Sequence, residues 1–195
     1  MFDRIIKMFI AASLVVVPLA GAAKDYIVKS PSGNLVLKVA TGKNLTWQGN
    51  FKGHEITAPS VLSVKLKNGG EWGSDNPGGK QGKVSRTIDG VNYRKAKIED
   101  KYTLLMLKGK GYSVEFRAYD DAAAYRFIAN ASDSVTIENE KVEYNFTKDY
   151  EAYVPYVNDL RHGERYSNSF EAYYDIQKIS QMRPQNLALV PFVVK

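Results

Sequence analysis

The chain is predicted to fold as a mostly antiparallel, all-β domain from residue 25 onward. Three observations carry this. Apolar residues alternate with polar ones at a period of two in several short runs, Gly, Asn, Asp and Pro cluster between those runs, and no stretch sustains a helical period over a dozen residues. No repeat of fixed length is present.

The first residues are read separately. Arg4 and Lys7 precede the apolar run Met8 to Val17, which is followed by Pro18 and the small residues Ala20-Gly21-Ala22. That order is expected of a secretory signal peptide spanning 1–22. The apolar run is shorter than the roughly 20 residues of a bilayer span, and no stop-transfer pattern follows, so a retained anchor is the lesser alternative. The expected location is the periplasm or the outside of a bacterial cell, and the remainder, 23–195, is long enough for one domain with a buried core. With no cysteine in 195 residues, an exported chain must rely on packing rather than disulfides.

Taken in order, Leu35, Leu37 and Val39 share one strand face, and Leu62, Val64 and Leu66 share another. Between them, 42–59 is expected to form a strand pair turning near Gly49-Asn50 or Lys52-Gly53 and stopped by Pro59. Residues 67–83, rich in Gly, Asn and Pro, are expected to form an exposed loop. Runs at 91–100, 101–109, 134–139 and 141–147 read as further short strands, while 143–151 and 171–179 leave room for short helices. In 111–127, Tyr112, Val114, Phe116 and Ala118 are expected on a buried face, and Asp120-Asp121 in the turn. Arg117 and Arg126 on this hairpin are expected to lie over aromatic rings or to pair with a carboxylate such as Glu115, with direct ligand contact as the other reading.

Several chemistries are closed by composition. The chain has two histidines, His54 and His162, no cysteine and no G-x-S-x-G, and it lacks a P-loop, a dinucleotide fingerprint, His-Glu-x-x-His and an EF-hand loop. His54 follows a turn and reads as a surface residue. The charge of +6 comes from dispersed lysines, so no nucleic-acid partner is expected.

The segment 149–175 gathers six acids and six tyrosines. Aromatic faces beside carboxylates and amides suit a pyranose, which offers C–H faces for stacking and hydroxyls for hydrogen bonds. Trp72, Tyr156, Asn158 and Asn168 are the candidate sugar contacts on this reading. The same acids, with Asn158 and Asn168, equally suit a calcium ion, and a plain tyrosine-rich loop has the same composition. A glycosidase would need two carboxyl groups flanking the scissile bond, and their spacing here singles out no pair.

The segments "SGNLVLKV", "LTWQGNFKGHEITAPSVLSVKL", "GYSVEFRAYDDAAAYRF", "YVPY", "NSFEAYYD" and "LALVPFVV" together resemble the N-terminal domain of glycoside hydrolase family 97. The likeness runs from about Ser30 to Lys195. In the hairpin, Ala122 and Ala123 stand where the family shows Gly-Val. The family consists of exported bacterial enzymes acting on α-linked glucosides or galactosides. The resemblance implies a β-sandwich similar to the supersandwich of galactose mutarotases, followed by a catalytic (β/α)8 barrel. The barrel carries the catalytic carboxylates and most ligands of a calcium ion. The sandwich lends one glutamate, and Glu171 of "NSFEAYYD" is the matching position. The sequence stops at Lys195 with no barrel, so three expectations stand. The chain is a fragment that ends before the sandwich is complete and does not hydrolyse α-linked oligosaccharides alone, or a free-standing periplasmic carbohydrate-binding module using Trp47, Trp72 and the tyrosines, or a structural interaction protein.

Overall fold

The computed structural model describes residues 23–130, 134–157, 173–191 and 193–195. The expected signal peptide, 1–22, lies outside the described residues. Among them the regular structure is almost wholly β, in three antiparallel sheets.

The largest sheet joins β1 (Asp25–Lys29), β2 (Leu35–Ala40), β3 (Leu45–Phe51), β5 (Ser60–Leu66) and β11 (Ile137–Val142) in that spatial order. Two short strands, β4 (His54–Glu55) and β6 (Glu71–Trp72), pair with β3 and β5. The second sheet has the order β10 (Ala123–Ala129), β9 (Tyr112–Ala118), β8 (Lys97–Lys108), β7 (Gly78–Asp89). The third is small: β13 (Asp175–Lys178), β12 (Glu151–Val154) and β14 (Val193–Val194).

The first two sheets pack face to face, with β8 against β1 and β9 against β2. The alternation read from the sequence sets this interface. Leu37, Val39, Leu62 and Val64 from one sheet meet Leu105, Leu107, Val114 and Phe116 from the other, all fully or nearly fully buried. The 120–121 turn also holds, closed by the Tyr119 N–H donating to the Ala122 carbonyl at 2.8 Å. The 42–59 pair turns at Lys52-Gly53, where both residues adopt positive φ. His54 is exposed, as expected of a residue after a turn.

Four expectations are corrected. Residues 67–83 are not a single exposed loop: β6 and the first six residues of β7 lie among the turn and loop residues 67–70 and 73–77. Glycine misleads at Gly79, where it marks close backbone approach rather than a turn. A Cβ on Gly79 would stand 2.7 Å from Leu107 and from the Tyr26 ring, and the Gly79 N–H donates to the Tyr26 hydroxyl at 2.8 Å. The runs 91–100 and 101–109 supply a single strand, β8, paired with β7 over twelve positions. Only Ile137–Val142 of the two runs at 134–147 is strand. Residues 143–150 are not helical: Phe146 bridges to Thr57 and the chain enters β12. A single 3-10 turn follows β13 at Ile179–Gln181.

Candidate functional site

Two groups of polar side chains stand out, one on the outer face of the four-stranded sheet and one at the end of the small sheet. The first follows from register. Glu115 pairs with Met106 and Arg126, and Arg117 with Leu104 and Ala124, so these side chains share the face opposite Val114 and Phe116. Glu115 is nevertheless only 4% exposed, because two arginines close over it. Arg117 Nε donates to Glu115 Oε1, and Arg126 Nε donates to Oε2 at 2.8 Å. Arg117 also lies 4.6 Å over the Tyr102 ring, so both structural roles expected of the arginines are realised.

The network continues along the face. The Tyr119 hydroxyl accepts from Arg117 Nη1 at 3.3 Å and donates to Asp100 Oδ1 at 3.2 Å, while Arg86 Nε donates to Asp100 Oδ2 at 2.8 Å. Burial pushes the Glu115 carboxyl up, but the bonds from Arg117 and Arg126 outweigh it and hold it below its ordinary value. The hydrogen bond from Arg86 holds Asp100 low as well. A shallow cleft of about 190 Å³ opens between Glu115, Tyr119, Tyr125 and Arg126. Sequence reasoning missed Arg86, Asp100, Tyr102 and Tyr119. The long β7–β8 pairing that sets Arg86 opposite Asp100 would have placed two of them, had the glycines not hidden β7.

The second group surrounds Tyr156, just beyond β12. Its hydroxyl accepts from Gln177 Nε2 at 2.6 Å and from the Arg183 N–H at 2.9 Å, and the Arg183 guanidinium lies 3.9 Å over its ring. Arg183 also donates to Asp175. Burial pushes this phenol up, but the donors around it prevail and its pKa is lowered. Gln177 and Arg183 carried no signal in the sequence, since only the β12–β13 pairing brings them to Tyr156.

The expected sugar contacts are distributed unevenly. Tyr156 is 1% exposed and holds the core of the small sheet with Ala152 and Val154, so its ring offers no stacking face. Trp72 is 7% exposed, with its ring stacked on Tyr112 at 5.4 Å. The turn after it sends the indole inward: Gly73 has φ of 99°, donates to the Tyr112 hydroxyl at 2.9 Å, and leaves no room for a Cβ beside the Leu62 carbonyl. Trp47 is half-buried, with Tyr144 edge-on at 5.4 Å. Asn158, Asn168 and Glu171 lie outside the described residues. Among the described residues, no three His, Asp or Glu side chains come together as a metal site.

Comparison with known proteins adds the following. The family described as Glycosyl-hydrolase 97 N-terminal matches residues 28–195. A retaining alpha-galactosidase of Bacteroides thetaiotaomicron is 35% identical over 179 residues, which is 89% of this chain and 27% of that protein. A glycoside hydrolase family 97 enzyme variant from Pseudoalteromonas sp. strain K8, solved with panose, superposes with a TM-score of 0.68 at 17% identity, over 87% of this chain and 26% of that one. A beta-arabinopyranosidase superposes with a TM-score of 0.66 at 19% identity, over 78% of this chain and 26% of that one. The chain thus spans about a quarter of the length of the relatives it matches. At these structural identities the likeness shows the β-sandwich fold.

Proposed function

Since the chain belongs to the Glycosyl-hydrolase 97 N-terminal family, we propose that it serves as the sandwich domain of an exported glycosidase, bordering the pocket of a catalytic barrel outside this chain. The observation that carries this reading is the family match over 28–195 together with coverage of only 27% of a retaining alpha-galactosidase. The substrate class is an α-linked galactoside or glucoside, in keeping with the activity of that relative and the panose held by the structural neighbour.

The chain's own contribution is placed on the segment between β12 and β13. Val154 pairs with Asp175, so the two ends of that segment leave the small sheet side by side, and the segment carries Asn158, Asn168 and Glu171. A hard cation such as calcium takes six to eight oxygen ligands. On this reading Glu171 lends one carboxylate to an ion held mainly by the barrel. Calcium there would supply a positive charge at the pocket wall.

The module alternative has less support, because Trp72 and Tyr156 are buried and Trp47 is half-buried. Titration calorimetry with panose and melibiose, with and without calcium, separates the two. The dependent domain gives no saturable heat alone and does not hydrolyse p-nitrophenyl α-galactoside. In the barrel-bearing enzyme, Glu171→Gln raises the calcium concentration needed for activity about tenfold or more. Saturable sugar binding by the isolated chain would reverse the assignment.

A further inference from the structure

The turns at one end of the sandwich enclose a cleft of about 550 Å³ that neither polar group on the sheets uses. Its walls are the β5–β6 turn with Lys67 and Asn68, the β8–β9 turn with Lys110, and the approach to β11 with Ser134 and Thr136. Trp72 of β6 adds an apolar edge.

The walls are pinned through their backbones. The Lys67 N–H donates to the Thr136 carbonyl at 3.0 Å, the Lys110 N–H to Asp75 Oδ2 at 2.9 Å, and the Asn130 N–H to the Gly111 carbonyl at 3.0 Å. Within the first turn, the Leu66 N–H donates to the Gly70 carbonyl at 2.8 Å and the Gly70 N–H to Asn68 Oδ1 at 3.1 Å. The side chains are left over. Among the described residues, the ammonium groups of Lys67 and Lys110, the amide nitrogen of Asn68 and the hydroxyls of Ser134 and Thr136 have no hydrogen-bond or ion-pair partner.

The charge of the cleft is one-sided, since no described residue lining it is acidic. The acids close by in sequence are turned elsewhere. Glu138 pairs with Lys65 at 3.2 Å, and Asp75 accepts from the Tyr112 hydroxyl and the Lys110 N–H. Glu71 alternates with the inward-facing Trp72, so it faces the other side of its sheet. Two lysines without a counter-charge attract an anion. The amide and the two hydroxyls suit a ligand with hydroxyls of its own. The volume is that of a site for a small organic molecule rather than a single ion.

We propose that this cleft binds an anionic saccharide, one carrying a carboxylate or sulfate beside free hydroxyls, with Lys67 and Lys110 on the acidic group and Asn68, Ser134 and Thr136 on the hydroxyls. Ring stacking plays no part, because Trp72 is 7% exposed and its indole is held on Tyr112 and Phe127. The lysines are exposed, so the attraction is modest and weakens with salt. The site is formed by the sandwich itself and does not depend on the proposed role beside a barrel. Panose and melibiose are uncharged, so the cleft predicts no saturable heat from either.

Amide NMR titrations of the 195-residue chain at low salt compare digalacturonate, galactose 6-sulfate, melibiose and sodium sulfate. Digalacturonate, galactose 6-sulfate or both should shift the amides of Asn68, Gly111 and Thr136 saturably, and the one that does so names the acidic group. Melibiose and sodium sulfate should bind about tenfold more weakly or not at all. Lys67→Gln combined with Lys110→Gln should weaken the anionic saccharide about tenfold. Lys80→Gln combined with Lys83→Gln removes equal charge from the β7 edge and should leave affinity unchanged. Glutamine keeps the N–H groups that pin the walls. If the cleft variant fails to fold, the ligand comparison on the unmodified chain still decides. No saturable shift, shifts confined to residues elsewhere, melibiose or sodium sulfate binding as tightly as the anionic saccharides, or equal weakening by the two double variants would overturn the proposal.

Discussion

Removing the arginines from Glu115 one at a time should reveal how its buried charge is held. Arg117 is 25% exposed and makes three contacts: Glu115, Tyr119 and the Tyr102 ring. A net hydrogen bond to a charged group contributes about 1.5–3 kcal/mol. A partly exposed cation–π contact adds about 1 kcal/mol. Methionine in its place recovers part of the stem's packing, so Arg117→Met should cost about 2–3 kcal/mol. Arg126 is 60% exposed, and solvent screens its attraction to Glu115, so Arg126→Met should cost about 1 kcal/mol or less. Either arginine alone still neutralises the carboxylate. Removing both strands a buried charge, so the double variant should exceed the sum of the singles by about 1–2 kcal/mol. Adding Glu115→Met to the double variant should recover much of the loss, because an apolar triad of similar volume carries no desolvation cost. Urea denaturation monitored by tyrosine and tryptophan fluorescence reads these values. With a slope of about 2–3 kcal/mol per molar, the single Arg117 variant shifts the midpoint by about 1 M. Equal costs for the two single variants, or a double variant that is merely additive, would refute this account of Glu115.

Acid should expose the same network. Glu115 and Asp100 have folded-state pKa values below their ordinary ones, so their stabilisation is complete above the ordinary carboxylate range, about pH 4–5, and fades as pH falls through the lower folded values. Urea midpoints should therefore be flat from neutral pH to about pH 5 and drop below it, with a shallower drop in the variant lacking Glu115 and both arginines. Gly73→Ala should destabilise by about 2 kcal/mol or more, since the new Cβ meets the Leu62 carbonyl at 2.7 Å on a backbone of positive φ; thermal melting checks this.

The sandwich faces were legible because burial on one side of a strand imposes a period of two on the sequence. Leu35 to Val39, Leu62 to Leu66 and Tyr112 to Ala118 show that period without interruption, and the structure buries the residues it selects. Legibility fails where the same fold uses a glycine for close contact inside a strand, or in a turn that folds back into the core. Gly79 lies in β7 because Tyr26 and Leu107 leave no space for a side chain, and Gly73 folds Trp72 into the core. Both glycines sit in a stretch whose composition reads as loop, so an indole placed at the surface by sequence reasoning is part of the core.

The candidate site was less legible than the fold, and the reason is physical. The Glu115 pairing with arginine could be foreseen, because Glu115, Arg117 and Arg126 lie on one hairpin and a two-residue turn fixes their register. The burial of Glu115 could not, since it depends on Met106 and Leu104 of β8 flooring the same face and on both guanidiniums folding inward. Tyr156 shows the converse. Its neighbours in sequence are tyrosines and acids suited to a sugar, yet Gln177 and Arg183, more than 20 residues away, close on its hydroxyl and make it an anchor. A tyrosine-rich run therefore cannot be divided into binding and packing rings by composition. The division is made by which rings the pairing of β12 with β13 turns toward Val154, and which, like Tyr173, it leaves in solvent.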